Sequence, residues 1–176
     1  YVKNKLLFRN VHPSDSSLHI YSYTKTTQFK KNWDDVTLNA RGLIVHHGQI
    51  ISRGSAKFFN YGEISHPSLE QVVGVYEKVD GSLGIPYMWN NFLHMATKGS
   101  FVSEQADVGS ELICQDEFLV NRVQFMLQVE KKTPIFEIIY PENRVVVDYA
   151  NRRELIYIGN VDHETGLINY EEGREE

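Results

Sequence analysis

Residues 76–83 place a lysine two positions before an aspartate and three before a glycine. The apolar residues Val72, Val73 and Val75 come just before and predict a strand that delivers Lys78 to a tight turn. A lysine amine attacks phosphorus once it has lost its proton, and nearby cations or a bound metal ion favour that loss. Lys78 is therefore a candidate nucleophile. The alternative is a hairpin turn that carries a solvated lysine.

The composition limits the kind of protein in which this lysine acts. With 176 residues, 41% hydrophobic and 23% charged, residues 1–176 are predicted to form a single domain with its own core. The single cysteine, Cys114, excludes an internal disulfide framework, and no stretch predicts a membrane span or a signal peptide. We therefore expect a cytoplasmic, monomeric protein without a membrane partner. The net charge of -5 argues against a broadly basic nucleic-acid surface but allows a local basic cleft.

Several common catalytic signatures are missing from the sequence. His46 and His47 are adjacent, but no Cys-x-x-Cys pair or other zinc-ligand spacing accompanies them. The sequence also has no Walker-type phosphate loop and no Gly-x-Ser-x-Gly motif. A zinc site, a P-loop kinase and a serine hydrolase are therefore not expected.

Alternating apolar residues and turn signals predict a mostly antiparallel β protein around Lys78. Arg41 opens a predicted strand in a hairpin with Gly48 in its loop, and Asn90 and Asn91 form a second hairpin turn. The predicted strands are 5–8, 18–23, 40–45, 50–52, 85–89, 92–97, 134–140, 144–149 and 155–161. Helical spacing predicts one long helix between residues 103 and 132, which Pro134 ends. The predicted fold class is α+β, with twisted antiparallel sheets and flanking helices.

Other charged and aromatic residues could complete a phosphate-handling site. Lys57 and Lys98 are candidate phosphate cations, whose charges would also keep Lys78 deprotonated; the alternative is that both are solvated. Phe59 follows Phe58 on a predicted extended segment, so one ring could pack in the core and the other face a pocket. A pure core role for Phe59 is the alternative.

Two further candidate residues, Arg41 and Glu137, could instead form ion pairs within the protein. Arg41 could form a structural ion pair with Asp34, Asp35 or Glu137. Glu137 lies in an apolar stretch, where a carboxylate is costly unless it accepts hydrogen bonds. It could accept them from a ligand, or it could pair with Arg144 across the strand connection.

Five pieces in order resemble the bacteriophage RNA ligase 1 family, one branch of the covalent nucleotidyltransferases. They are residues 40–42, 57–60, 77–83, 98–100 and 136–137. The resemblance implies the ligase-type nucleotidyltransferase domain and an ATP-dependent RNA ligase. In that chemistry Lys78 forms a lysyl-AMP intermediate, AMP passes to an RNA 5′-phosphate, and an RNA 3′-hydroxyl then displaces AMP. The implied cofactors are ATP and Mg²⁺ or Mn²⁺, and the implied partners are RNA ends with a 5′-phosphate and a 3′-hydroxyl.

The resemblance also implies roles for individual residues. Arg41 and Lys57 would reach the phosphates, Phe59 would pack near the nucleotide, and Glu137 would hold the ribose hydroxyls. The remaining candidates for ATP binding are Glu77, Val79, Gly81 and Lys98, with Glu77 near the adenine. The candidates for the metal are Asp80 and Glu176.

The sequence departs from the family pattern at its end. A Glu-Gly pair on a strand and a Lys-x-Lys pair should follow the glutamate strand, and the chain supplies neither convincingly. We therefore expect a truncated adenylyltransferase domain that lacks these C-terminal motifs and a downstream RNA-specificity domain. Alternatives are a DNA ligase, an RNA-capping enzyme or, from another class, a noncatalytic single-strand RNA-binding module.

Overall fold

Two antiparallel sheets and several helices build the fold, as seen in the computed structural model for residues 1–63 and 74–170. The strands are β1 Leu7–His12, β2 Asp15–Tyr23, β3 Arg41–His46, β4 Gln49–Arg53, β5 Ser82–Trp89, β6 Phe92–Ala96, β7 Lys132–Ile139, β8 Glu154–Asp162 and β9 Ile168–Asn169. The helices are α1 Lys25–Lys30, α2 Asp35–Asn39, α3 Glu104–Cys114 and α4 Glu117–Phe125, with a π-helical turn Met126–Glu130 and a 3-10 turn Pro141–Asn143. The predicted α+β class is confirmed.

The first sheet has the order β1-β2-β3-β4, and the second has the order β6-β5-β7-β8-β9. Tight turns fix the register of two hairpins. His47 and Gly48 both have positive φ between β3 and β4, and so do Asn90 and Asn91 between β5 and β6. This is the turn geometry that matches strand twist in two-residue hairpins, and both hairpins were predicted from the sequence.

Among the described residues, the two larger of three hydrophobic clusters hold the layers together. One packs the two sheets against each other and contains Leu18, Ile20, Ile44, Ile85, Tyr87, Ala96 and Phe101. The other packs α3 and α4 on the second sheet and contains Leu93, Met95, Ile113, Val123, Leu127, Phe136, Ile138 and Tyr140. The second sheet is therefore covered on both faces. Within the described residues no helix is long and apolar enough to cross a membrane.

The prediction of one long helix between residues 103 and 132 is wrong, because the helix ends at Cys114 and a second helix begins at Glu117. Asp116 caps the new helix: its Oδ1 accepts a hydrogen bond from Leu119 N at 3.1 Å. A capping carboxylate is worth about 0.5–2 kcal/mol and competes with continuation of the helix. The apolar spacing continues across the break, so periodicity alone did not reveal it.

Two strand predictions near the site are also wrong. Residues 144–149 form a loop, because the N–H groups of Val146 and Val147 bind the Asp80 carboxylate instead of a neighbouring strand. Residues 74–80 have no strand pairing, and the strand after the lysine begins at Ser82. Val72 and Val73 lie outside the described residues. The predicted first strand is displaced to Leu7–His12, and the short helices α1 and α2 were not predicted.

A buried polar network joins the two sheets beneath the site. Arg53, on β4, donates its backbone N–H to Thr133 Oγ1 at 3.0 Å and its Nη1 to His163 O at 3.1 Å. The same Thr133 oxygen lies 2.9 Å from His163 Nε2. Burial and the positive charges of Lys131 and Arg53 lower the pKa of His163 to about 4. The folded protein therefore keeps this imidazole neutral.

We expect this histidine to make the protein acid-sensitive. The unfolded chain takes up a proton on His163 below about pH 6.5, whereas the folded chain takes it up near pH 4. Stability should therefore fall between these values by up to about 3 kcal/mol. Urea unfolding at pH 7 and pH 5 measures the loss, which His163→Asn should reduce. His19→Asn, on the first sheet, is the control and should follow the wild type; an equal pH dependence in all three proteins contradicts the prediction.

Candidate active site

A cleft of about 1360 Å³ is lined by residues of both sheets and of the segments that connect them. All of the predicted site residues that the structure describes line it: Arg41, Lys57, Phe59, Glu77, Lys78, Val79, Asp80, Gly81, Lys98 and Glu137. Glu176, the remaining predicted residue, lies outside the described residues. Side chains from distant parts of the sequence thus converge on one cavity.

The pairing of β5 with β7 positions the lysine segment. Leu83 lies opposite Glu137 and Ser82 opposite Ile138, so the residues just before β5 cross the end of β7. Gly81 is required by this close approach, since a Cβ there would stand 2.4 Å from Ile138 O. The sequence had given Gly81 as a candidate for ATP binding, and the structure shows that its lack of a side chain is needed for the contact with β7. Lys78, three residues earlier, is exposed on the cleft wall.

Asp80 holds the loop formed by residues 144–149. Its Oδ2 accepts hydrogen bonds from Val146 N at 2.7 Å and Val147 N at 2.9 Å, and these bonds lower the pKa of the carboxyl group. Its own N–H donates to Tyr149 Oη at 2.9 Å. The aspartate of the lysine motif therefore fixes the loop that borders the cleft beside Lys78.

Glu137 presents a half-buried carboxylate to the cleft. Its Oε1 accepts the Gly81 N–H at 2.9 Å. Burial raises the pKa of this carboxyl group, while the Gly81 hydrogen bond and the charges of Lys78 and Arg41 lower it in part. Arg144 bonds to Asp148 at 2.9 Å instead, so the predicted Glu137–Arg144 pair is not observed. A carboxylate in such a place gains from ligand hydroxyl donors.

Arg41 lies at the start of β3, where the two sheets meet. Its Nη1 donates to Ser55 Oγ at 3.1 Å, and its guanidinium is 5.6 Å from the centre of the Phe58 ring. Among the described residues no carboxylate lies within 4.0 Å of it, so the ion-pair alternative is not observed. Gly42, with φ +78°, lets Ile85 approach; a Cβ would lie 2.1 Å from Ile85 Cδ1.

The two other candidate cations lie over aromatic rings. Lys98 Nζ is 4.0 Å from the centre of the Tyr23 ring, and Lys57 Nζ is 4.5 Å from that of Phe59. Lys57 also donates to the carbonyl of Phe58 and lies 4.0 Å from Glu63 Oε2, which offsets part of its charge. Neither lysine is the freely solvated side chain of the alternative reading, because both are only partly exposed.

Phe59 combines both of its predicted roles. Its ring packs edge-to-face on Trp33, with centroids 5.7 Å apart and an interplanar angle of 87°. It also lines the cleft. The pocket and core interpretations are therefore not exclusive for this ring.

Sequence reasoning missed the tyrosines of the cleft. Tyr76 stacks on Tyr170 with ring centroids 5.4 Å apart and 20° between the planes. The amine of Lys98 lies over the face of the Tyr23 ring. All three line the cleft. The high aromatic content signalled stacking surfaces in general, but no spacing marked these three because they come from distant elements.

The described residues offer little to a metal ion. Among them, no three His, Cys, Asp or Glu side chains gather as a metal site, and one oxygen of Asp80 is occupied by backbone N–H groups. The donor set of this part of the chain does not fit a complete divalent site. The roles of Asp80 and Glu176 as metal ligands stay predictions.

Comparisons with known proteins identify the family. A family model described as RNA ligase matches residues 39–175. A protein of Thermovibrio ammonificans, named as a predicted RNA ligase, is 30% identical over 157 residues, which are 87% of this chain and 40% of that protein. A protein of Autographa californica nuclear polyhedrosis virus, named as a predicted bifunctional polynucleotide kinase/RNA ligase, is 29% identical over 158 residues, which are 77% of this chain and 23% of that protein.

The chain thus spans less than half the length of these relatives. The matched region contains every candidate residue from Arg41 to Glu137. The resemblance read from the five sequence pieces is confirmed: the chain belongs to the RNA ligase family of the bacteriophage RNA ligase 1 type.

Proposed function

We propose that this chain is the adenylyltransferase part of an ATP-dependent RNA ligase. The observation that carries the proposal is the position of Lys78, exposed on the wall of a cleft that also holds three cations and the half-buried Glu137. An amine nucleophile, phosphate-binding cations and an acceptor for ribose hydroxyls are the parts that adenylyl transfer requires. Family membership supports the same assignment.

In the first step the lone pair of Lys78 Nζ attacks the α-phosphorus of ATP. A P–N bond forms, the P–O bond to the β-phosphate breaks, pyrophosphate leaves, and the surplus amine proton passes to solvent. In the second step an RNA 5′-phosphate oxygen attacks the same phosphorus and releases Lys78. An RNA 3′-hydroxyl then attacks the activated 5′-phosphate, so that a phosphodiester bond forms and AMP departs.

The cleft residues assist these steps by charge and position. Arg41, Lys57 and Lys98 bring positive charge to the side that would face the triphosphate, where charge moves onto the leaving pyrophosphate. Glu137 would accept hydrogen bonds from the ribose, and the Tyr76–Tyr170 stack and Phe59 offer apolar surface to the base.

Asp80 acts in this proposal as a positioning residue. Its two hydrogen bonds to the 144–149 loop hold that loop beside the lysine, so Lys78 is presented from a fixed turn. A divalent ion, Mg²⁺ or Mn²⁺, would neutralise part of the negative charge of the triphosphate when bound. Cytoplasmic location and the monomeric state stay predictions.

The test is the mass of the intact protein after incubation with nucleotide and Mg²⁺ or Mn²⁺. We expect a covalent AMP adduct with ATP, formed without RNA and lost when 5′-phosphorylated RNA is added. An adduct with GTP instead would indicate an RNA-capping enzyme. An AMP adduct that transfers to nicked DNA and not to RNA would indicate a DNA ligase. RNA binding without any adduct would favour the noncatalytic RNA-binding module and contradict the proposal.

A further inference from the structure

We propose that the surface around α1 binds the RNA strand that enters the cleft. This surface, called the α1 surface below, consists of Lys5, Lys25, Lys30, Lys31 and Phe29. The inference rests on the proposed function for the identity of the strand as RNA substrate. It concerns residues 1–38, a part of the chain that precedes the region matched by the RNA ligase family model.

Charge is distributed very unevenly along the sequence. Residues 1–33 contain six Lys and Arg residues and a single carboxylate, Asp15. The rest of the chain contains 12 Lys and Arg residues and 22 carboxylates. The overall charge of -5 therefore hides a basic N-terminal part on an otherwise acidic protein. Outside the cleft, a polyanion approaching this protein is therefore attracted most strongly to the N-terminal part.

Hydrogen bonds gather these cations on one side of the fold. Thr24, the N-cap of α1, donates its hydroxyl to Lys5 O at 2.8 Å, and Thr27 Oγ1 donates to Leu6 O at 2.6 Å. The segment that leads into β1 therefore lies against the first turn of α1. The backbone of Lys5 therefore lies beside Thr24, the residue that precedes Lys25, although the two segments are far apart in sequence.

The α1 surface continues into the cleft. Gln28 of α1 and Tyr23, just before the helix, both line the cleft, as does Lys98 on the Tyr23 ring. Residues three apart on a helix are neighbours, so Lys25 lies beside Gln28 on α1, and Lys31 follows the helix as its C-cap. A strand that reached Lys78 along this edge would meet cations outside the cleft and then Lys98 inside it.

The cations of the α1 surface are available to a ligand. All four lysines are exposed, and among the described residues no carboxylate lies within 4.0 Å of their amines. The nearby Asp34 carboxylate is occupied as the cap of α2, where it accepts Thr37 N–H at 2.8 Å. Asp35 is the other acidic residue close in sequence, in the first turn of α2.

The exposed ring of Phe29 favours RNA over an acidic protein as the partner of the α1 surface. Its ring is 80% exposed and sits between Lys25 and Lys30 on a six-residue helix. An exposed aromatic ring among cations is the combination with which proteins bind single-stranded nucleic acid, because bases stack on the ring while the cations contact phosphates. We therefore assign the RNA strand next to the reacting end, and not a protein, to this surface.

The charge test compares two pairs of adjacent lysines, each of which includes the C-cap residue of a helical segment. Lys31 and Lys131 both have left-handed φ, 52° and 55°, at a helix C-terminus. Lys30→Gln/Lys31→Gln removes charge from the α1 surface, and Lys131→Gln/Lys132→Gln is the matched control outside the cleft lining. Anisotropy of a 3′-labelled, 5′-phosphorylated single-stranded RNA gives the affinity between about 50 and 200 mM salt.

We expect the α1 pair to weaken RNA binding by about 10-fold at low salt and to reduce the salt slope by roughly 1.4, the value for two lost phosphate contacts on a single strand. The control pair should change both quantities little. Equal losses of RNA affinity in the two double variants would indicate that only the total charge of the protein matters, and they would overturn the inference. Unchanged RNA affinity in the α1 pair would overturn it as well and leave a protein partner as the candidate occupant.

A second comparison tests stacking on Phe29. Phe29→Ala should weaken RNA binding by about 5-fold or more, the lower range for loss of one stacked base. The control is Phe118→Ala, since Phe118 is 82% exposed on α4. If neither variant loses RNA affinity, the assignment of a stacking role to the α1 surface is contradicted.

Failure of this inference can be separated from failure of the proposed function. Adduct formation with ATP needs no RNA, so the α1 variants should form the lysyl-AMP adduct as the wild type does. RNA binding can in turn be measured in Lys78→Ala, which forms no adduct. A wild type that binds RNA through the α1 surface but forms no adduct would reject the proposed function alone.

Discussion

Replacing Lys78 with alanine is expected to abolish the AMP adduct while leaving the protein folded. The reaction needs a nucleophilic lone pair on the side chain, and no other described lysine in the cleft occupies the turn before β5. Lys78→Arg should fail as well, because a guanidinium stays protonated at neutral pH and offers no free lone pair. Since Lys78 is exposed, neither change should lower the melting temperature appreciably. Intact mass and thermal unfolding measure the two effects.

The control for this experiment is Lys131→Ala, an exposed lysine outside the cleft lining. It should form the adduct at the wild-type rate. An adduct that persists in Lys78→Ala would show that another residue is the nucleophile, and peptide mapping of the modified protein would identify it.

The lysine motif of the candidate site could be predicted from the sequence because its residues are close together in the chain. Lys78, Asp80 and Gly81 stand within four residues, and the hairpin signals around Arg41 and Asn90 placed their flanking strands correctly. What each residue does was harder to predict. Gly81 and Asp80 both bind protein backbone, at β7 and at the 144–149 loop, and such long-range contacts leave no local pattern.

The failed fold predictions have the same physical origin. The 144–149 segment has the valines typical of a strand, yet its N–H groups bond to Asp80 from a distant segment. The break before α4 depends on one capping side chain, Asp116, against a continuing apolar period. Local propensity is a weak prior that a few specific hydrogen bonds override. The cleft tyrosines Tyr23 and Tyr170 were missed for the same reason, since only the folded chain brings them together.

The second large effect is expected from Glu137→Gln, which should separate stability from function. The glutamine oxygen can still accept the Gly81 N–H, and the substitution removes a charge that burial disfavours. The melting temperature at pH 7 should therefore be unchanged or higher. Adenylylation should fall by about 10- to 100-fold, because hydrogen bonds from the ribose to a carboxylate are stronger than those to a neutral amide by roughly 1–2 kcal/mol each.

The pH dependence of nucleotide binding sharpens this prediction. Burial raises the pKa of Glu137, so acid should protonate it, and weaken nucleotide binding, at a higher pH than for an ordinary glutamate. In Glu137→Gln, nucleotide affinity should no longer fall at acidic pH through this group, and its dependence on pH should otherwise be unchanged. Glu137→Ala should behave differently, because it leaves the Gly81 N–H without its acceptor and costs about 1–3 kcal/mol of stability. If Glu137→Gln binds ATP as tightly as the wild type at every pH, the carboxylate only supports the turn at Gly81 and does not hold the ribose.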